Sequence, residues 1–290
     1  SEHRESSLRD YLTLLKPGVM ALVVFTGFVG LQMAPGHMHP FMQALTVLAI
    51  AMGSGGGAAI NMWFDADIDA IMNRTQKRPI PAGRIAKDDA LVLGVGLSIA
   101  GVMLIALAAN AIAAAWLAFA IFFYAVIYTM ALKRHTSQNI VIGGAAGAFP
   151  AVIGWAAMSG GHLSALPWIM FAIVFLWTPP HFWALALYRH DDYKRAHIPM
   201  LPVTAGIKST KIHMLIYTLV LIAVSLAPLA YGSQQLYAIG AFVLGGNFLR
   251  HAIRVLRNDA PALAMRMFGF SIMYLFALFA LLFGDHLVLR

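Results

Sequence analysis

Apolar runs long enough to cross a lipid bilayer recur along nearly the whole chain, and no other feature narrows the fold as much. A helix needs about 20 mainly apolar residues to traverse the hydrocarbon core. Such runs fall near 18–36, 41–63, 89–109, 111–132 and 139–159 in the first half, and near 165–187, 211–231, 234–254 and 265–287 in the second. With 60% hydrophobic and only 11% charged residues, the chain lacks the roughly 25% charge with which soluble domains cover a water-facing surface. Strand alternation is absent, which argues against a transmembrane barrel. The expected fold is therefore an all-α membrane protein, nine transmembrane helices forming one domain over residues 1–290.

Positive charge gathers in cytoplasmic loops, so lysine and arginine test the span count. Nine spans put Arg4, Arg9 and Lys16, then Arg74 to Lys87, Lys133 and Arg134, Arg189 to Lys211, and Arg250 to Arg266 on one side, leaving only Arg290 on the other. A wrong count would exchange alternate loops and destroy that split. The reading places 1–16 as a cytoplasmic N-terminal segment and leaves long acidic cytoplasmic loops near 64–88 and 188–210. Gly30 to Ala34 offers no small-x-small cleavage site, so the first run is expected to remain as a span. The net charge of +8 then suits anionic lipid or an anionic substrate; no soluble basic stripe is left for nucleic acid. The absence of cysteine removes thiolate metal sites and a cysteine nucleophile.

The acids concentrate in the two long loops. Asn61, Asp65 and Asp69 are spaced four apart and share one face if span 2 continues as helix, whereas Asp67 points elsewhere. Stacked carboxylates repel unless a cation lies between them, and Mg²⁺ is the natural one, taking hard oxygens from one or two carboxylates and from substrate phosphates. Arg74, Lys77, Arg78 and Arg84 follow at once and would neutralise phosphate oxygens that the metal does not reach. Helix capping and positive-inside charge explain these groups singly; acid stripe followed by basic turn reads as a metal-diphosphate site.

The second loop carries Asp191, Asp192, Lys194 and Arg195. If span 6 runs on as helix, Tyr188, Asp192 and Arg195 align within about 40° beneath His181, and Pro179-Pro180 would kink the span just before that histidine. His181 alone reads equally well as a hydrogen-bonded core residue. A third polar cluster, Tyr128 to Asn139, contains Lys133 and Arg134, which would receive an acidic substrate group, and precedes a run of small residues suited to close helix packing.

These residues resemble the intramembrane aromatic prenyltransferases of the UbiA superfamily over nearly the whole chain. Asn-x-x-x-Asp-x-x-x-Asp falls on Asn61, Asp65 and Asp69, and Arg-x-x-x-Arg-Pro-x-Pro-x-Gly on Arg74, Arg78, Pro79, Pro81 and Gly83. The Asp-x-Asp-x-Asp variant, Tyr128-Thr, Leu132-Lys133-Arg134, Pro180-His181-Phe182 and Asp192-Tyr193 through Pro202 are similar to its protohaem IX farnesyltransferase (haem O synthase) branch. The resemblance implies a helical bundle around a central cavity facing the cytoplasm, in the cell inner membrane. It implies transfer of farnesyl from farnesyl diphosphate to a vinyl group of haem B, with addition of water. Asp65, Asp69 and Asp192, with Asp191 and Asp67 as further candidates, would hold Mg²⁺; Arg74, Lys77, Arg78, Lys194 and Arg195 would bind diphosphate, and Asn61 would orient a water or phosphate. His181, Tyr128, Lys133 and Arg134 would receive haem, and Trp63, Phe64, Phe182 and Trp183 would face the allylic cation. Haem A synthase or terminal-oxidase assembly proteins would be partners. A quinone-type or chlorophyll-type prenyltransferase shares the diphosphate site; a cation or proton transporter is the rival from another class, but would place its acids near the midplane.

Overall fold

A computed structural model describes residues 6–233 and 235–288, so Arg4, Arg290 and the expected start of the eighth span at 234 lie outside the described residues. The chain runs through α1 (Leu8–Leu14), α2 (Pro17–Met33), α3 (Pro40–Phe64), α4 (Ala66–Ile71), α5 (Lys87–Ala108) and α6 (Ala111–Phe122). A π-helical segment, Phe123–Leu132, continues α6. Then come α7 (Asn139–Met158), α8 (Ala165–Tyr188), α9 (His190–Arg195), α10 (Leu201–Thr204), α11 (Ile207–Ser225), a 3₁₀ turn (Ala227–Tyr231), α12 (Gln235–Arg257) and α13 (Pro261–Val288). Among the described residues there is no strand.

Eight helical stretches are long and apolar enough to span a membrane, and the pair α1 and α2, bent by 55° at Lys16, makes a ninth if counted as one. Pro17 at the first position of α2 fixes its start, and Lys16 takes a left-handed φ of 51° to turn the chain there. The N-terminal segment is more than a tail. Leu14 is fully buried against Ala59, Met62, Ile85 and Ala90, and Asp10 accepts a 2.7 Å hydrogen bond from Arg84, which seats α1 on the first long loop. Pro40, Pro261 and the cap residues Ser7 and Asn110 start further helices in the same local way.

Close backbone approach sets the helix packing. A Cβ on Gly154 of α7 would stand 2.0 Å from Gly27 O of α2, and one on Gly56 of α3 would stand 2.6 Å from Gly94 O of α5, so only hydrogen fits at these crossings. The apolar interior gathers in two large clusters. One, around Met170, Trp177, Tyr237, Phe248, Tyr274 and Phe279, ties α8 to α11, α12 and α13; the other joins α2, α3, α6 and α7. The expected kink at Pro179-Pro180 does not divide α8, which runs unbroken from Ala165 to Tyr188. The Thr178 hydroxyl donates to Val174 O at 2.8 Å, one turn back along the same helix.

Candidate active site

Where α3 gives way to α4 the helix breaks at Asp65, yet its N–H reaches Asn61 O at 2.9 Å and the Asp69 N–H reaches Asp65 O at 2.8 Å. The four-residue hydrogen bonding therefore carries across the break and stacks Asn61, Asp65 and Asp69, all three buried. Carboxylates this deep are costly unless paired. Asp65 Oδ2 pairs with the Lys133 ammonium and accepts a 2.8 Å hydrogen bond from Asn61 Nδ2. Asp69 Oδ2 accepts from Arg78 at 2.6 Å, and the Thr75 hydroxyl donates to Asp69 O at 2.9 Å, folding the basic turn back over the stripe. Gly83 makes that turn possible with a φ of +70°. Arg74 and Lys77 lie on its exposed side.

Asp67 sits off the stripe. Its side chain is 62% exposed and gripped at both oxygens by Arg134, each at 2.7 Å. Those charge-assisted bonds hold its carboxyl below the usual carboxylate range. Lys133 and Arg134 are thus turned to the acids of the first loop rather than left free for a propionate.

Opposite the stripe, the π-helical segment supplies a polar face. Its i→i+5 spacing aligns Tyr124 with Thr129 and Tyr128 with Lys133, pairs that would diverge by about 140° on an α-helix. Thr129 Oγ1 donates to Tyr124 O at 2.8 Å and accepts from Asn61 Nδ2 at 3.0 Å. The Tyr124 and Tyr128 rings stack at 5.7 Å, and Gly143 of α7 leaves room for Tyr128, since a Cβ there would stand 2.2 Å from its ring. Lys16 reaches in from the α1–α2 bend, donating to Asn61 Oδ1 and, at 3.2 Å, to Tyr124 OH. Tyr124 went unnamed in the sequence reading, while Lys16 entered it only as positive-inside charge and Thr129 only within the Tyr128-Thr pair; a lysine set directly before the proline that opens the first span was the available signal.

In the second loop the helix stops at Tyr188, so the expected column beneath His181 does not form. Tyr188 is 40% exposed and the Arg195 side chain 51% exposed, while Asp192 is buried. Asp191 points outward beside His190, and Lys194 is exposed. Asp192 Oδ1 pairs with Arg195. Tyr193, next to Asp192, is buried with it.

Among the described residues no three carboxylate or imidazole groups stand close enough to hold a metal ion, so the acidic loops do not close on one ion through protein oxygens alone. They do leave capacity for one. Asp65 Oδ1, 3.5 Å from the Arg134 guanidinium, and Asp192 Oδ2 are buried without a hydrogen bond. Orphaned carboxylate oxygens fit a hard divalent ion such as Mg²⁺, whose coordination is completed by water and substrate oxygen.

His181 is packed between Trp177 at 4.2 Å and Phe268 at 4.5 Å, with Nδ1 2.5 Å from Ser271 Oγ. Ser271 donates its single hydroxyl proton to Phe268 O at 2.6 Å, so it accepts from His181 Nδ1–H, which leaves Nε2 as the ring's lone pair. The four aromatic residues expected around a cation are engaged elsewhere. Lys87 covers Trp63, Arg134 covers Phe64, Trp183 packs on Tyr217, and Phe182 meets His181 edge-on.

A lipid-embedded helical bundle with a cationic, carboxylate-bearing site at one end defines a membrane enzyme for substrates that join a charged head to an apolar body. The chain belongs to the UbiA prenyltransferase family, whose model matches residues 23–281. It is 54% identical to the protein named "Protoheme IX farnesyltransferase" of Rhodopseudomonas palustris (strain BisB5), over 96% of this chain and 90% of the relative. It is 56% identical to the protein of the same name from Gluconacetobacter diazotrophicus, over 97% and 92%. In fold it is similar to a digeranylgeranylglyceryl phosphate synthase (TM-score 0.78, 18% identity, covering 96% of this chain and 98% of that one). It is also similar to a UbiA homolog from Archaeoglobus fulgidus bound to GPP and Mg²⁺ (TM-score 0.64, 15% identity, 94% and 99%).

Proposed function

We propose that this chain transfers the farnesyl group of farnesyl diphosphate to a vinyl group of haem B, water adding to the neighbouring carbon, to give haem O and diphosphate. The observation that carries the acceptor is the near-full-length identity of 54–56% to relatives named for that activity. The geometry supports the diphosphate half. Departure of the leaving group breaks the allylic C–O bond with both electrons on oxygen, and cations fixed beforehand in a poorly hydrated site stabilise that charge without reorganising. Arg74, Lys77 and Arg78 bind the diphosphate from the basic turn, with Lys194 and Arg195 from the second loop. Lys16 and Lys133, already held at Asn61 and Asp65, stand ready to follow the developing charge.

Asp65 with Asp69 in the first loop and Asp192 in the second would each hold Mg²⁺ together with water and diphosphate oxygens, and the metal when bound would neutralise those oxygens. Asp191 and Asp67 face outward and are left out of this set. Asn61 fixes Asp65 against Thr129 and so sets the direction of the carboxylate. The allylic carbon then accepts the electron pair of the vinyl group, the new carbocation takes up water, and a proton is released. His181, with a bare Nε2, is assigned to haem, either at the iron or at the ring edge. The N-terminus and both acidic loops are placed on the cytoplasmic side of the inner membrane, in line with the charge asymmetry.

The test is product mass. Purified protein given Mg²⁺, farnesyl diphosphate and haem B should yield haem O and stoichiometric diphosphate. A product formed only when a hydroxybenzoate or a chlorophyllide replaces haem would transfer the site to a different acceptor class.

A further inference from the structure

Several basic groups near the two acidic loops are paired with an acid, as Arg78 is with Asp69, Arg84 with Asp10, Arg134 with Asp67 and Arg195 with Asp192. On the α12–α13 hairpin the arginines stand together without one. Arg250, Arg254 and Arg257 on α12 and Arg266 on α13 are all exposed, and none forms an ion pair or hydrogen bond within the described residues. The nearby Asp259 is taken by Lys211 at 2.6 Å. The ring of His251 on α12 stacks on Phe270 of α13 at 4.9 Å, and Arg266 stands one turn before Phe270 while Arg250 and Arg254 lie beside and one turn along from His251, so the arginines come together where the two helices meet. The dipole at the end of α12 accounts for Arg254 and Arg257 in its last turn, but not for Arg250 or Arg266.

The patch continues an apolar surface. At 100° per residue, Ile239, Val243, Gly246, Arg250, Arg254 and Arg257 fall within about 60° of one line along α12. Ile239 and Val243 are 65% and 62% exposed, and a Cβ on Gly246 would touch nothing. An outward stripe that is apolar through the bilayer and turns to unneutralised arginine at one end matches a lipid with an acyl chain and an anionic head. Arginine side chains are long enough to carry their charge to headgroup level.

We propose that the α12–α13 hairpin binds an anionic phospholipid, its phosphodiester held by Arg250, Arg254, Arg257 and Arg266 and an acyl chain lying along Ile239 to Gly246. This site lies outside the acid-bearing loops and does not depend on the proposed activity.

Native mass spectrometry of the purified protein, titrated with phosphatidylglycerol or phosphatidylcholine, reads the site directly. Wild type should retain phosphatidylglycerol in clear preference, and the preference should weaken with salt. Each Arg→Gln replacement should lower it about fivefold at low ionic strength. R250Q/R254Q/R257Q/R266Q should show none, with prenyl transfer in neutral detergent unchanged. Should the quadruple variant fail to fold, R250Q/R254Q provides the same comparison. Equal retention of both lipids by wild type overturns the proposal, as does full preference in a folded variant. Displacement by millimolar inorganic phosphate would reassign the patch to a free anion. A change of oligomeric state in the variant without loss of lipid preference would reassign it to a second copy of the chain.

Discussion

Asp65 has no exposed surface and touches Lys133, Asn61 and Arg134, so its charge is the centre of a closed electrostatic set. Asp65→Asn keeps the shape and removes the charge. It should lower turnover by about 10²-fold or more while haem binding, read from the visible spectrum, persists; near-normal turnover would refute the metal assignment. Lys16→Met removes the cation that holds Asn61 Oδ1 and should weaken farnesyl diphosphate more than haem, so the KM for the diphosphate rises while that for haem stays. Asp67 offers the contrast. Arg134 lowers its pKa, so the pair stabilises the fold above the unfolded value of 3.8 and loses that contribution as pH falls through the lower folded value. With most of the side chain in water, Asp67→Asn should cost well under about 1 kcal/mol at pH 7 and nothing in acid, as thermal unfolding at several pH values would register. The positions of Asn61, Asp65 and Asp69 were legible in the sequence because the four-residue period survives the helix break. The partners of Asp65 and Asp67 were not, since Lys133 and Arg134 are separated from them by 68 and 67 residues and a third helix decides where they point.

Ten consecutive π-helical residues are unusual in a span, and here they serve the site. An α-helical period would leave Tyr124 and Thr129 on different faces, and nothing in the local sequence announces the π register that brings them together. The same period, carried past Tyr188, aligned Asp192 with His181 across a helix end at Arg189 that the local sequence does not announce. Proline gave the opposite error: two prolines leave α8 continuous, whereas Pro17 and Lys16 together bend the first span by 55°. If the π register is what matters, deleting one residue from it should return the segment to α-helix. Deletion of the outward-facing Val126, 38% exposed, should preserve helicity by circular dichroism and leave Tyr124 and Thr129, then four apart, on one face, but swing Tyr128 away from Lys133, which remain five apart. Turnover should fall by about 10²-fold. A deletion variant with full activity would show that the site tolerates either register.

The bundle as a whole rests on helices brought together at hydrogen-sized contacts, and that much can be read from the sequence only as a wealth of small residues. Apolar length was sufficient for the helical class and for a count close to the eight stretches, nine with the bent pair, that the fold contains, because lipid forbids alternatives to a satisfied backbone. Which glycines face a neighbour depends on helix pairing, which those signals do not contain. α5 separates the two cases within one helix. A methyl group on Gly101 would stand 2.8 Å from Gly53 N and 2.9 Å from Ala49 O, backbone atoms that cannot yield without parting α3 from α5, whereas Gly96 has open space around it. Gly101→Ala should therefore destabilise the protein by about 1–3 kcal/mol. Gly96→Ala gains helix propensity and should be neutral or stabilising by up to about 1 kcal/mol. Thermal unfolding in one detergent ranks the two variants against wild type. Equal effects would mean that α3 and α5 have freedom to separate, and the alignment of Asn61 on α3 with the π-helical face would then need another support.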